Sequence, residues 1–314
     1  MRHFCWLLFD MNSSRWLDWL GLFALVAMFG SAFLLTKIAV QEVPPLMVVA
    51  GRIVIGAILL LAISYAKGER LSQLKPYWFI LLVLALTGNC IPFFVITWGQ
   101  QHVDSSLAGI LMAMMPLTTV VLAHFFVQGE RLTKNKVIGF LLGFLGVVIL
   151  MQPELIVSRN MDWLYIISML LILSGAVSYA ANSIIAHSLP KISLSLISAG
   201  VLLAASLVIV PLSLTQGFEW VQHTSGNALI AVILLGLFPS GLATIIYFSV
   251  IRHAGAAFLS QINYLIPVWA VLLGVLFAGE TLTINAFVAL VVILLGIAIA
   301  QKNRSARADS IYHD

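Results

Sequence analysis

Apolar residues along this chain gather into ten long blocks separated by short polar breaks. The blocks cover residues 18–38, 45–66, 76–100, 104–127, 134–151, 162–186, 191–214, 226–251, 255–279 and 284–301. A helix needs about 20 apolar residues to cross a hydrocarbon core, so each block predicts a membrane-spanning helix. The breaks are built from Pro, Gly and charge. KGERLSQLK (67–75) is the clearest loop, and QPELIVSRN (152–160) falls near the middle of the chain. The closing KNRSARADSIYHD is polar and is expected to be disordered. The opening MRHFCWLLFD is too short for a signal peptide and lacks a small-residue cleavage site. Met11 opens a more ordinary polar start, and no function is assigned to the first ten residues.

The pattern repeats. MMPLTTVVLAHFFVQGERLT (114–133) and YLIPVWAVLLGVLFAGETLT (264–283) share a mid-block proline and a closing Gly-Glu-x-Leu-Thr. Pro116 and Pro267 are 151 apart, and Glu130 and Glu280 are 150 apart, as are Thr133 with Thr283 and Gly146 with Gly296. The preceding blocks correspond too: NCIPFFVITWGQQHVDSS (89–106) answers PSGLATIIYFSVIRHAGAA (239–257), with His102 and His253 at the same offset of 151. Each half therefore holds five spans. Five is odd, so the second half enters the membrane from the opposite side. Such inverted repeats build transporters that bind solute near the midplane, between the halves.

Composition sharpens this. Hydrophobic residues are 61% of the chain and charged residues 9%, against roughly 25% charged in soluble domains. The fold class is therefore an all-α membrane protein of ten helices, in two inverted five-helix repeats. With the N-terminus inside, 13 lysines and arginines fall in inside segments, against Lys37 and Arg159 outside, and Arg52 is left within a span. The positive-inside bias thus places both termini in the cytoplasm. The net charge of +4 belongs to those loops and gives no support to nucleic-acid binding. Cys5 and Cys90 form no disulfide framework and no metal-ligand spacing. No HExxH, paired intramembrane aspartates, Ser-His arrangement or phosphate loop is present, which argues against an intramembrane enzyme or an ATP-driven pump.

Each half ends in Gly-Glu-x-Leu-Thr and a Gly- or Ala-rich final helix, GERLTKNKVIGFLLGFLGVVIL and GETLTINAFVALVVILLGIAIA. MFGSAFLLTKIAV and AGRIVIGAILLL open the first half. In these features residues 17–301 resemble the EamA-type branch of the drug/metabolite transporter superfamily. The resemblance implies residues 1–16 as a cytoplasmic segment, 17–151 and 161–301 as EamA-like repeats, 152–160 as the connecting loop and 302–314 as a cytoplasmic tail. It further implies a secondary transporter in the inner (plasma) membrane, exporting amino acids or related metabolites, with no cofactor and no metal. Uptake or exchange of another small organic solute, nucleotide-sugar- or sugar-phosphate-like, is the alternative. The second half departs from the pattern at its second helix, where Gly200 stands near the place of Arg52.

Polar and aromatic side chains gather at mid-span. The expected substrate-binding set is Asn89 and Trp98 in the third span, Met112 in the fourth, Ser178, Tyr179 and Asn182 in the sixth, Tyr247 in the eighth and Gln261, Asn263 and Tyr264 in the ninth. Ser178 and Asn182, four apart, share a helical face. Any one of them could instead serve as an interhelical hydrogen bond, worth about 0.6 kcal/mol. Arg52, the one full charge inside a span, is expected either to bind an acidic group on substrate or to snorkel to the headgroups. Pro116 and Pro267 are expected hinges, since each removes a backbone hydrogen bond. Glu130 and Glu280 are expected to cap the helix that follows each of them. Gly139 and Gly143 in GFLLGFLG fit close packing either within the chain or in a homodimer.

Overall fold

The computed structural model describes residues 2–127, 130–151, 163–186 and 192–311, with side chains described from Trp16 to Gln301 apart from residues 251, 256 and 257. Among the described residues every regular element is helical. The first half holds α1 (Arg2–Val40), α2 (Pro45–Ala66), α3 (Leu71–Gly99), α4 (Ser105–Phe126) and α5 (Lys134–Leu150). The second holds α6 (Trp163–Ala186), α7 (Leu194–Ser213), α8 (Gly226–Gly255), α9 (Ile262–Phe277) and α10 (Ile284–Ile311). Eight helices among the described residues are long and apolar enough to cross a membrane. α5 and α9 are shorter, at 17 and 16 residues.

Two ends differ from expectation. α1 begins at Arg2, and α10 runs on to Ile311, through most of the tail expected to be disordered. Neither stretch contains the Gly or Pro that would stop a helix already under way. The connecting loop expected at 152–160 lies outside the described residues.

Local chemistry sets the starts. Thr133 Oγ1 accepts the Lys136 amide (3.4 Å) and Thr283 Oγ1 the Ala286 amide (3.2 Å). These threonines, closing the two Leu-Thr motifs, are the N-caps of α5 and α10. At Gly255 the backbone turns out of helical geometry (φ +84°), which redirects the chain between α8 and α9.

The helices pair across the halves. α5 lies along α10, α2 along α7, α3 on α6, α1 on α8 and α9, and the start of α4 on α9. The pairing is pseudo-twofold, since α3 with α6 answers α8 with α1. The α5–α10 contact is backbone against backbone. A Cβ on Gly139 would sit 2.4 Å from the Gly296 carbonyl oxygen, and one on Gly296 would sit 2.6 Å from that of Gly139. Gly143 meets Leu117 and Met114 of the same chain. The close approach that GFLLGFLG permits is therefore made inside the chain.

A second duplication is visible only in three dimensions. α3 is α-helical over Trp78–Ala85, widens into a π-helical stretch at Leu86–Cys90, and resumes at Ile91–Gly99. α8 does the same at Gly236–Leu242. The two stretches begin 150 residues apart. Pro92 follows the first and Pro239 lies in the second. A proline removes the amide of its own turn, and a π bulge relieves its clash with the carbonyl behind it.

Candidate functional site

The candidate site is assembled around the two π stretches. α2 reaches the second one because Gly56 has no side chain. A Cβ there would lie 3.0 Å from Ser240 Cβ and from Leu202 Cδ1. One turn away is Arg52, 7% exposed. Its Nε donates to Ser240 Oγ (3.2 Å), and its guanidinium carbon stands 3.7 Å over the centre of the Phe93 ring. Tyr179 of α6 meets Phe93 edge-on, with centroids 6.4 Å apart. Four helices, two from each half, thus converge on one guanidinium. The ion pairs among the described residues are Lys37–Asp104 and Lys136–Glu130, so no described carboxylate neutralises Arg52. The position 150 residues on is Leu202, buried against α2. Gly200, the expected counterpart, packs instead on Leu74 and Leu81 of α3.

The first π stretch uses two of the expected binding residues. Ser178 Oγ donates to the Thr87 carbonyl (2.7 Å), and Asn182 Nδ2 donates to the Leu84 carbonyl (3.0 Å) and to Thr87 Oγ1 (2.9 Å). Gly88 makes room, since a Cβ there would meet Asn182 Nδ2 at 2.6 Å. These side chains satisfy carbonyls that the wider helix presents, and they fasten α6 to α3. Tyr264 is likewise engaged, its hydroxyl donating to Gln301 Oε1 of α10 (3.0 Å). Trp98 stacks edge-on with His102, and Met112 packs against the apolar cluster of α4, α5 and α10. Asn89, Tyr247, Gln261 and Asn263 are half-buried and make no side-chain hydrogen bond among the described residues.

The prolines are not equivalent. α4 breaks into a turn at Ala113–Met114, just ahead of Pro116, and Thr118 Oγ1 donates back to the Met114 carbonyl (3.0 Å). Pro267 lies inside an unbroken α9, and the turn in that half comes earlier, at Ser260–Gln261.

Glu280 caps a helix, but not the one that follows it. Gly279 (φ +66°) turns the chain so that Glu280 faces the start of α4 in the other half. Oε1 accepts from the Ser105 amide and hydroxyl, both at 2.7 Å, and Oε2 from the Ser106 amide (2.9 Å) and hydroxyl. Beside it Lys37 Nζ donates to the carbonyls of Gln100 (3.1 Å) and Val103 (3.0 Å) and pairs with Asp104 at 3.8 Å. Burial pushes the Glu280 carboxyl up, but the four donors of Ser106 and Ser105 outweigh it and hold it below the ordinary value. Asp104 is pushed up by burial and by the Glu280 charge, against the pull of Lys37.

The two acids oppose each other in their pH dependence. Glu280 stabilises the contact above its depressed pKa, and that contribution disappears as pH falls through it. Charged Asp104 opposes the packed arrangement, and the opposition is relieved as pH falls through its raised pKa. A spin label at the exposed Thr281 is therefore expected to stay immobile from neutral pH to about pH 4 and to loosen only below that range. Loosening already near neutrality would show that Glu280 is not held this way.

Comparison with known proteins places this geometry. The EamA-like transporter family matches residues 17–152 and again residues 166–301. The chain is similar to the uncharacterized inner membrane transporter YedA of Escherichia coli (strain K12), 31% identical over 282 residues and 89% of each chain. It is similar to the uncharacterized transporter YoaV of Bacillus subtilis (strain 168), 24% identical across 88% of this chain and 94% of that one. A solved crystal structure shares the fold with a TM-score of 0.64 and 24% identity, across 90% of this chain and 96% of that one. With one match on each five-helix half, the chain belongs to the EamA-like transporter family and is a multi-pass membrane transporter built from two EamA repeats.

Proposed function

We propose that this transporter exports amino acids or related small carboxylate metabolites across the inner membrane, with both termini cytoplasmic. The observation that carries the reading is Arg52. A guanidinium surrounded by Phe93, Ser240 and Tyr179, with no described carboxylate beside it, is costly in a membrane unless something anionic arrives. A carboxylate fits the planar fork of donors that Arg presents. The unengaged amides of Asn89, Gln261 and Asn263 offer both donors and acceptors for the rest of a zwitterionic solute. The lysine and arginine asymmetry, 13 against 2, supports the orientation, and the pseudo-twofold pairing of the halves supports access that alternates between the two faces.

The test is counterflow uptake into proteoliposomes, screened against pooled labelled amino acids, other carboxylates and sugar phosphates, with Asn263→Ala alongside. Saturable uptake of a carboxylate pool, reduced in the variant, is the expected result. Uptake of sugar phosphates alone would move the assignment to the alternative anion. Uptake retained in full by Asn263→Ala would remove α9 from the site, and no uptake by folded protein would overturn the reading.

A further inference from the structure

We infer that Glu280 with Ser105 and Ser106 is the latch that closes one mouth of the translocation path, and that the residues answering Ser105 and Ser106 at the other mouth carry no hydroxyl for such a latch. The inference rests on the transport reading only in that there is a path to close.

The contact joins the second half to the first across 174 and 175 residues, and four donors converge on one carboxylate. The first amides of a helix have no partners within it, so an acid at that end satisfies them and also meets the favourable end of the helix dipole. Gly274 lies directly beneath. A Cβ there would stand 2.1 Å from Glu280 Oε2 and 2.2 Å from Ser106 Oγ. The seat is built for this side chain.

The repeat supplies the comparison. At the positions that answer Ser105 and Ser106, 151 residues on, stand Ala256 and Ala257. An alanine has no hydroxyl to donate. The acid that answers Glu280 is Glu130, and Lys136 of the next helix pairs with it at 2.7 Å. At the place of Lys136 the second half has Ala286, so Glu280 meets no such cation on its own helix. The two copies have thus diverged at all three points in one direction. Hydroxyls are present and the lysine is absent where Glu280 sits, and the reverse holds in the copy that contains Glu130. Glu69 also bridges the halves, through Ser193 and Ser195, but it joins α2 to α7, which already lie side by side. The α4–α9 crossing, one half against the other, is the one Glu280 ties. The resting chain is closed at the Glu280 mouth.

Pulsed electron resonance on the full chain in lipid discs tests this without any solute. With Cys5→Ser and Cys90→Ser, labels at the exposed Gln101 and Thr281 report the Glu280 mouth, and labels at the exposed Gln73 and His253 report the other. Each lost hydroxyl donor to a charged acceptor changes an equilibrium about tenfold or more. Ser105→Ala/Ser106→Ala and Glu280→Gln are each expected to raise the open population at the first pair by at least that factor. Ala256→Ser/Ala257→Ser with Lys136→Ala is expected to act the other way, closing the second pair, and it remains readable where the first variants fail to fold. Folded variants with wild-type distances at both pairs would overturn the latch. That result would leave the Arg52 reading standing, and a failed uptake screen would leave the latch standing.

Discussion

Arg52→Gln is expected to lower uptake of the carboxylate solute about a hundredfold or more while leaving the protein as stable as before, or more stable. The two effects have one cause. Two charge-assisted hydrogen bonds at about 1.5–3 kcal/mol each give a loss on that scale when the fork is removed. The same removal relieves an insertion cost of about 2.5–3.5 kcal/mol for a charge at mid-helix. A residue kept for packing would show the opposite pairing, with stability down and transport little changed. Arg52→Lys keeps the charge but loses the Ser240 bond from Nε and the flat face over Phe93, so it is expected to restore only a minor part of the uptake. Uptake and preference unchanged in Arg52→Gln would remove the guanidinium from the site.

Gly139→Val is expected to destabilise the protein by about 3 kcal/mol or more, at the top of the range for overpacked cores. The obstacle is the Gly296 carbonyl, 2.4 Å from the new Cβ, with the Ala300 amide at 3.0 Å. Backbone atoms have no rotamer to move to, so α5 and α10 must separate along their shared face. Gly226→Ala is the control. Nothing lies within 4 Å of its Cβ, and it is expected to stay within about 0.5 kcal/mol of wild type. Thermal unfolding in one detergent decides it: equal melting of the two variants would show that the close approach does not hold the pair together.

The helices and the repeat are legible in the sequence because both are written in residue type. Twenty apolar positions make a span whatever lies beside them, and an offset of 150 or 151 can be read by eye. The π stretches are not legible in that way. Leu86 and Gly236, where they begin, differ in residue type, Pro92 and Pro239 are not at the repeat offset, and a proline alone does not say whether a helix kinks, breaks or widens. Ser178 and Asn182 show a related difficulty. Their spacing correctly puts them on one face, yet only the fold reveals that the face meets Leu84 and Thr87. Local rules reach only a few residues, so they assign Glu280 to its nearest helix. Its partners, Ser105 and Ser106, lie 175 and 174 residues away in sequence and in contact in the fold.

Leu202 carries a consequence of its own. A frame with two equivalent halves would give two equivalent anion positions, and a solute could lodge in either of two orientations. With no charged residue at 200–202, where the second arginine would stand, the frame is twofold and the charge is single. The expected stoichiometry is one carboxylate per chain, held with the same end toward α2 in every cycle, and the chain is then expected to distinguish the head of its solute from the tail.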